Sequence, residues 1–256
     1  MPTLPSLFIS HGAPTIVLND CPVRAFWRGL IEDVGRPRSV LCVSAHWETD
    51  VPTVSVADTP ETIHDFYGFP RPMYDLRYPA PGAPELASKV ASLLGEAGHE
   101  CHQSADRGLD HGAWIPLMEM LPDADVPVTQ LSIQAGRDMA WHINLGRALS
   151  PLRQDGVLVL ASGGAVHNLG AFQPGGTEIP DWAHRFDDWL ASTVETGDEV
   201  ALAAYRDEDG ALAHPRDEHL LPLGVAFGAG GDGVTGRVLH RGFMDGAVGT
   251  AAYAFE

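Results

Sequence analysis

Three of the twelve histidines stand where an apolar run ends. Leu7-Phe8-Ile9 stops at Ser10-His11-Gly12, "VLCVSA" leads into His46-Trp47, and "VLVLASGGAV" leads into His167-Asn168. Imidazole titrates near neutrality and, when neutral, binds zinc, iron, copper or nickel. Gly12 after His11, and Gly163-Gly164 before His167, would let backbone approach a ligand closely. A single histidine in such a place reads as a core or cap residue bonded to its neighbour. Three at matching places predict one shared site. Their spacing is not that of a short metal motif such as H-E-x-x-H.

Three further segments carry candidate chemistry. In "AHPRDEHLLPL", Pro215 suits the first turn of a helix, with Asp217 and Glu218 near its positive end. His214, Glu218 or His219 could complete a metal sphere there, or the acidic start could simply be solvated. In "GLDHGAWIPLMEML", Asp110 and His111 precede a helix expected from about Ala113. A helix N-terminus favours neutral imidazole, which suits His111 to hydrogen-bond a phenol or oxyanion; equally, Asp110 caps the helix and His111 packs on a loop. "TIHDFYGFP" joins His64 and Asp65 to Phe66, Tyr67 and Phe69. Such a mixture suits the wall of a small-molecule pocket, although Phe66 and Phe69 read as well as anchors of a loop. His142, His184, His240 and the pair His99/His102 around Cys101 are read as structural.

These residues need a frame. "SLFIS", "SVLCVSA", "VPVTQLSI" and "GVLVLAS" read as buried strands. "PVRAFWRGLIEDV", "APELASKVASLLGEAG", "MAWHINLGRALSPLR" and "DWAHRFDDWLASTV" carry apolar residues at helical intervals. The alternation predicts one α/β domain over residues 1–256, with a central, mostly parallel or mixed sheet flanked by helices. In such sheets ligands bind beyond the carboxyl ends of the strands, where the three histidines fall.

Composition narrows the partners. With 34 acidic and 16 basic residues the formal net charge is −18. Such a surface disfavours nucleic acid and anionic membranes and suits neutral or cationic small molecules. No apolar run approaches the roughly 20 residues of a membrane span. No signal peptide is evident, and the three cysteines are widely spaced, so a cytoplasmic protein with reduced thiols is expected. Oligomeric state is not legible.

Together, "SHGAP", "SAHW", "TIHDFYGFP", "YPAPGAP", "LDHGAWIPL", "ASGGAVHNL" and "DEHLLPL" resemble the DODA-type extradiol aromatic ring-opening dioxygenases of the LigB-like superfamily. The seven motifs run in one order from residue 10 to about 223. The resemblance implies one mononuclear metal site held by His11, His46 and His219, with adjacent Glu218 as the competitor for the third place. It implies His167 as an acid/base beside the metal, countable as a further ligand when zinc is bound, and His111 as a substrate-side hydrogen-bond donor. It also implies cleavage of a DOPA-like catechol by O2 at Fe(II), giving a muconic semialdehyde. Zinc cannot change redox state, so a zinc-loaded site should not cleave the ring by this route. The rival readings are a zinc-dependent hydrolase and a non-catalytic metal-binding relative.

Overall fold

Alternation inside the apolar runs decides how the strands are buried. Leu7 and Ile9 turn to one face of the sheet and Phe8 to the other, and all three are fully buried. A strand of this kind needs cover on both sides, and the computed structural model, which describes residues 3–207 and 209–256, provides it. The strands are β1 (Ser6–Ser10), β2 (Ser39–Glu48), β3 (Thr53–Ser55), β4 (His102–Ser104), β5 (Val128–Ile133), β6 (Val157–Gly163), β7 (Gly236–His240), β8 (Phe243–Met244), β9 (Val248–Gly249) and β10 (Ala252–Phe255). The α-helices are α1 (Pro22–Val34), α2 (Pro72–Asp75), α3 (Pro84–Glu96), α4 (His111–Met120), α5 (Met139–Leu149), α6 (Asp181–Thr196), α7 (Glu199–Ala203), α8 (Gly210–Ala213) and α9 (Leu221–Ala229).

Eight strands form one mixed sheet in the order β4-β3-β5-β2-β6-β1-β10-β7. Its centre, β5-β2-β6-β1, is parallel, while β10 runs antiparallel to β1 and β3 antiparallel to β5. Leu7, Ile9, Val40, Cys42, Leu158 and Leu160 pack on one face with Trp27 and Leu30 of α1 and Trp114 and Leu117 of α4. Phe8, Leu41, Val43, Val159 and Ala161 pack on the other, against α3, α5, α6 and α9. Helix α9 is buried along its whole length, so it sits inside the second layer rather than on its surface.

Register places the site. Ser10 lies opposite Gly163, and Ser44 opposite Ser162, so β1 and β6 end beside the point where β2 loses its pairing with β6 and runs on to Glu48. Residues that follow those ends therefore share one edge of the sheet. Two local expectations change. The helix expected near Ala113 begins at His111, because Asp110 caps it by accepting from the Ala113 amide. No helix opens at Pro215: residues 215–220 form bends and turns, and α9 starts at Leu221. Asp217, which would have served that first turn, is instead held by Tyr205 and Arg206. The three cysteines form no disulfide. Among the described residues no helix is long and apolar enough to cross a membrane.

Candidate metal centre and active-site cavity

The chain leaving β1 delivers His11, the C-terminal end of β2 delivers His46, and the turn before α9 delivers His219. One ligand atom from each lies within 4.8 Å of the other two. The Nε2 atoms of His11 and His46 are 2.9 Å apart. Two nitrogens each about 2.1 Å from one ion and at right angles would stand about 3.0 Å apart, so the pair is spaced for a single metal.

The surrounding hydrogen bonds fix which nitrogen His11 and His219 offer. Ser162 donates its hydroxyl proton to the Gly112 carbonyl at 2.5 Å, so it must accept from His11 Nδ1 at 2.9 Å. His11 Nε2 is therefore an acceptor aimed at the site. His219 Nδ1 donates to Glu218 Oε1 at 3.0 Å, which frees its Nε2 in the same way. Glu218, a competitor for the third place in the sequence, thus orients His219, and its other oxygen accepts from Arg216 Nε at 3.1 Å. Behind His46, Arg107 donates to the His46 carbonyl at 3.4 Å and pairs with Asp110, which also accepts from Ser44 at 2.7 Å and Gln130 at 2.8 Å.

Burial keeps these rings neutral. Burial, helped by the neighbouring His46 and His111, holds His11 well below the usual imidazole range; burial, with His167 next, does the same to His219. Burial, then His111, pulls His46 down to about 4. Neutral imidazoles with acceptor nitrogens converging on one point repel one another unless a cation lies between them, and nitrogen donors suit zinc, iron, copper or nickel. The donor set fits a divalent transition metal.

Two more imidazoles flank the three. His167 stacks on His219 with ring centroids 3.5 Å apart and planes 10° from parallel, and its ring has no hydrogen-bond partner among the described residues. Burial lowers its pKa, which leaves it neutral and able to take up a proton. His111 lies 3.9 Å, centroid to centroid, from His46. Asp65 accepts from both the His111 amide and its Nδ1, each at 2.9 Å. Although burial raises the Asp65 pKa, the bonds from His111 outweigh it and hold the carboxyl at about 2. With Nδ1 held as a donor to Asp65, the ring is left with Nε2 as its free nitrogen at the cavity wall.

Close backbone contacts let the five rings crowd together. A Cβ on Gly112 would lie 2.5 Å from Ser44 Oγ, 3.1 Å from His46 Cδ2 and 3.2 Å from His11 Nδ1. A Cβ on Gly163 would lie 2.1 Å from the His219 carbonyl oxygen. Gly12, at φ +64°, turns the chain out of β1 immediately after His11.

The rings open onto a cavity of about 650 Å³. Phe66, Phe69, Leu169, Phe172 and Val248 supply apolar wall; Glu48 and Arg216 supply charge. All five expected histidine positions (His11, His46, His111, His167 and His219) line it, and so does Asp65. Phe66 and Phe69 both line the cavity and pack on the core, so they combine the two roles open in the sequence. His64 and Tyr67 are not among the lining residues. His64 Nε2 lies 3.1 Å from the Leu76 carbonyl and its ring packs behind Phe66, while Tyr67 is 89% exposed. Within "IHDFY" the two adjacent residues Asp65 and Phe66 line the cavity, while Tyr67 turns out to solvent. Sequence reasoning missed Ser162, Ser44, Gly112, Arg107 and Gln130. The available signal was a serine at the end of an otherwise apolar strand, in "SAHW" and "ASGG" alike.

Comparison with known proteins agrees with this geometry. The family model for the catalytic LigB subunit of aromatic ring-opening dioxygenase matches residues 6–256. A protein of Beta vulgaris named 4,5-DOPA dioxygenase extradiol is 42% identical over 98% of this chain and 96% of its own length. One of that name from Escherichia coli K12 is 41% identical over 88% of this chain and 85% of its own. The crystal structure of an uncharacterized Escherichia coli K12 protein superposes with a TM-score of 0.83 at 32% identity, covering 99% of this chain and all of that one. Three histidines spaced for one metal, beneath an aromatic-walled cavity and inside a full-length match, place this chain in the LigB family of aromatic ring-opening dioxygenases.

Proposed function

We propose that the chain is an extradiol dioxygenase that opens the ring of a DOPA-like catechol with O2 at a single Fe(II) held by His11, His46 and His219. The observation that carries this reading is the convergence of those three neutral nitrogens at the floor of the cavity, with His167 and the Asp65-held ring of His111 beside them. The DOPA-like substrate is taken from the names of the relatives. Bound there, the iron would supply Lewis acidity toward the catechol oxygens and the one-electron chemistry that brings ground-state O2 into reaction.

The protein's part is proton traffic, orientation and exclusion of water. Catechol hydroxyls ionise near pH 10 in water, as phenols do, so binding as a catecholate requires an acceptor. His167, neutral and without a hydrogen-bond partner among the described residues, is that base. His111, steadied by Asp65 at ring and backbone, accepts a proton from the second hydroxyl or returns one to developing negative charge on oxygen. Phe66, Phe69, Phe172 and Val248 hold the ring over the three histidines and keep solvent from it. One ring C–C bond breaks beside the two hydroxyls, and both atoms of O2 enter the muconic semialdehyde product. Three unpaired cysteines fit a reducing compartment, and we place the enzyme in the cytoplasm.

The test is anaerobic loading with Fe(II), followed by oxygen uptake and product spectra across a panel of catechols. A yellow ring-opened product with one O2 consumed per catechol is expected, and none from zinc-loaded protein. Oxygen-independent cleavage of an ester or amide by the zinc form would establish the hydrolase reading instead.

A further inference from the structure

Beyond the histidines, the cavity carries a pair of opposite charges that the ring chemistry does not use. Arg216 donates from Nη2 to Glu48 Oε1 at 3.0 Å and from Nε to Glu218 Oε2 at 3.1 Å. All three residues line the cavity. The Arg216 side chain is 70% exposed and that of Glu48 39%, so this ion pair sits at the wet mouth while His11 and His219 sit on the dry floor. A guanidinium has five N–H donors, and these contacts use two. Glu48 Oε2 has no partner among the described residues. The pair therefore keeps donors and an acceptor side by side and available.

We infer that Arg216 and Glu48 form a head-group subsite for a zwitterionic α-amino acid, with Arg216 taking the carboxylate and Glu48 the ammonium. This rests on the ring-cleavage reading for the position of the catechol end. An amino-acid head carries its two charges on one carbon, adjacent to each other as those of Arg216 and Glu48 are. Docking it extends the existing pair into a closed ring of alternating charges, so neither protein group is left without a partner. Other ligands fit less well. A substrate with only a carboxylate meets one guanidinium already flanked by Glu48 and Glu218. A neutral alkyl catechol gains nothing from the pair. The three carboxylates that line the cavity, Glu48, Asp65 and Glu218, against the single Arg216 bias it further against anions.

The test compares four catechols on the iron-loaded enzyme: DOPA, dopamine, 3-(3,4-dihydroxyphenyl)propionate and 4-methylcatechol. The quantity read is kcat/KM for each charged catechol divided by that for 4-methylcatechol. The same ratios are taken for binding, by equilibrium dialysis under nitrogen. Wild-type protein should favour DOPA over 4-methylcatechol by about tenfold or more, as expected for a pair of charge-assisted contacts at a partly exposed site. Arg216→Met should abolish the advantage of DOPA, lower the propionate ratio further and leave the dopamine ratio in place. Glu48→Gln should reduce the DOPA and dopamine ratios and not the propionate ratio.

Arg216 also holds Glu218, which orients His219, so a purely structural role would lower all four substrates together and leave every ratio unchanged. That result, or a wild-type enzyme indifferent between DOPA and 4-methylcatechol in both assays, overturns the assignment. Turnover of all four without discrimination would refute the subsite and leave ring cleavage standing. Discriminating binding without any oxygen uptake would do the reverse.

Discussion

Gly163→Ala against Gly164→Ala asks how far the site depends on backbone contact at the end of β6. An added Cβ at Gly163 would stand 2.1 Å from the carbonyl oxygen of His219, whereas one at Gly164 meets nothing nearer than 3.5 Å. The Gly163 carbonyl also accepts from the His11 amide at 3.0 Å, and the Gly164 amide donates to the His219 carbonyl at 2.9 Å. Relieving the first clash means moving the His219 backbone by about 1 Å, since such contacts normally exceed 3 Å. Overpacking of this kind costs roughly 1–3 kcal/mol, partly offset by about 0.4–1 kcal/mol from the stiffer unfolded chain. The expected net loss is about 1–2 kcal/mol for Gly163→Ala and close to zero for Gly164→Ala. Function should suffer more, because a 1 Å misplacement can cost on the order of a hundredfold in rate. Denaturant unfolding of the metal-free proteins gives the first quantity; bound metal per chain and oxygen uptake after iron loading give the second. If Gly163→Ala matches Gly164→Ala in stability, metal content and rate, the contact does not hold His219 and the reasoning fails.

Four other outcomes can be checked. His11→Ala, His46→Ala and His219→Ala should each lose most bound iron by elemental analysis, whereas His167→Ala keeps the metal and loses most turnover; loss of metal from the last would make His167 a ligand. Asp65→Asn should retain iron but slow ring opening by about 10- to 100-fold, the usual scale for a group that supports acid–base catalysis, and stopped-flow turnover would expose it. Asp110 is fully buried and accepts from Ser44, Gln130, Arg107 and the Ala113 amide, so Asp110→Ala should cost about 3–5 kcal/mol in chemical denaturation by stranding Arg107 and the cap. His142 and His214, each lowered by burial from 6.5 to about 4, bind protons more readily when unfolded. Stability should therefore be complete above about pH 6.5 and fall as pH drops toward 4, by on the order of 3 kcal/mol per histidine; flat unfolding midpoints between pH 7 and 5 would contradict this.

Much of the fold was legible because buried parallel strands write themselves as short apolar runs. "LFIS" and "VLVLAS" fix both the strand and its end, and the ends fix His11 and the approach to His167. His219 was harder. It lies in a turn whose acidic residues look like a helix start, and only the tertiary bonds from Tyr205 and Arg206 to Asp217 decide otherwise. Asp65 lines the cavity, but what holds it there is illegible in the sequence: its bond to His111 spans 46 positions and has no local signal. Tyr67 and His64 were misplaced because a loop has no fixed period, so adjacency to Asp65 says nothing about direction. Ser162 shows a further limit, since a hydroxyl that fixes a tautomer looks like any small residue at a strand end.

β1 sits between β6 and β10, strands drawn from the last 100 positions of the sequence. His11 is translated well before residues 157–163 and 252–255, the strands that flank β1 in the sheet. During synthesis the nascent chain thus carries an apolar segment without its sheet neighbours, and any early contact with a metal ion would be through unplaced side chains. The three histidines can converge only after residue 219 has been made, so the site is a late product of folding even though its first member is an early residue of the sheet.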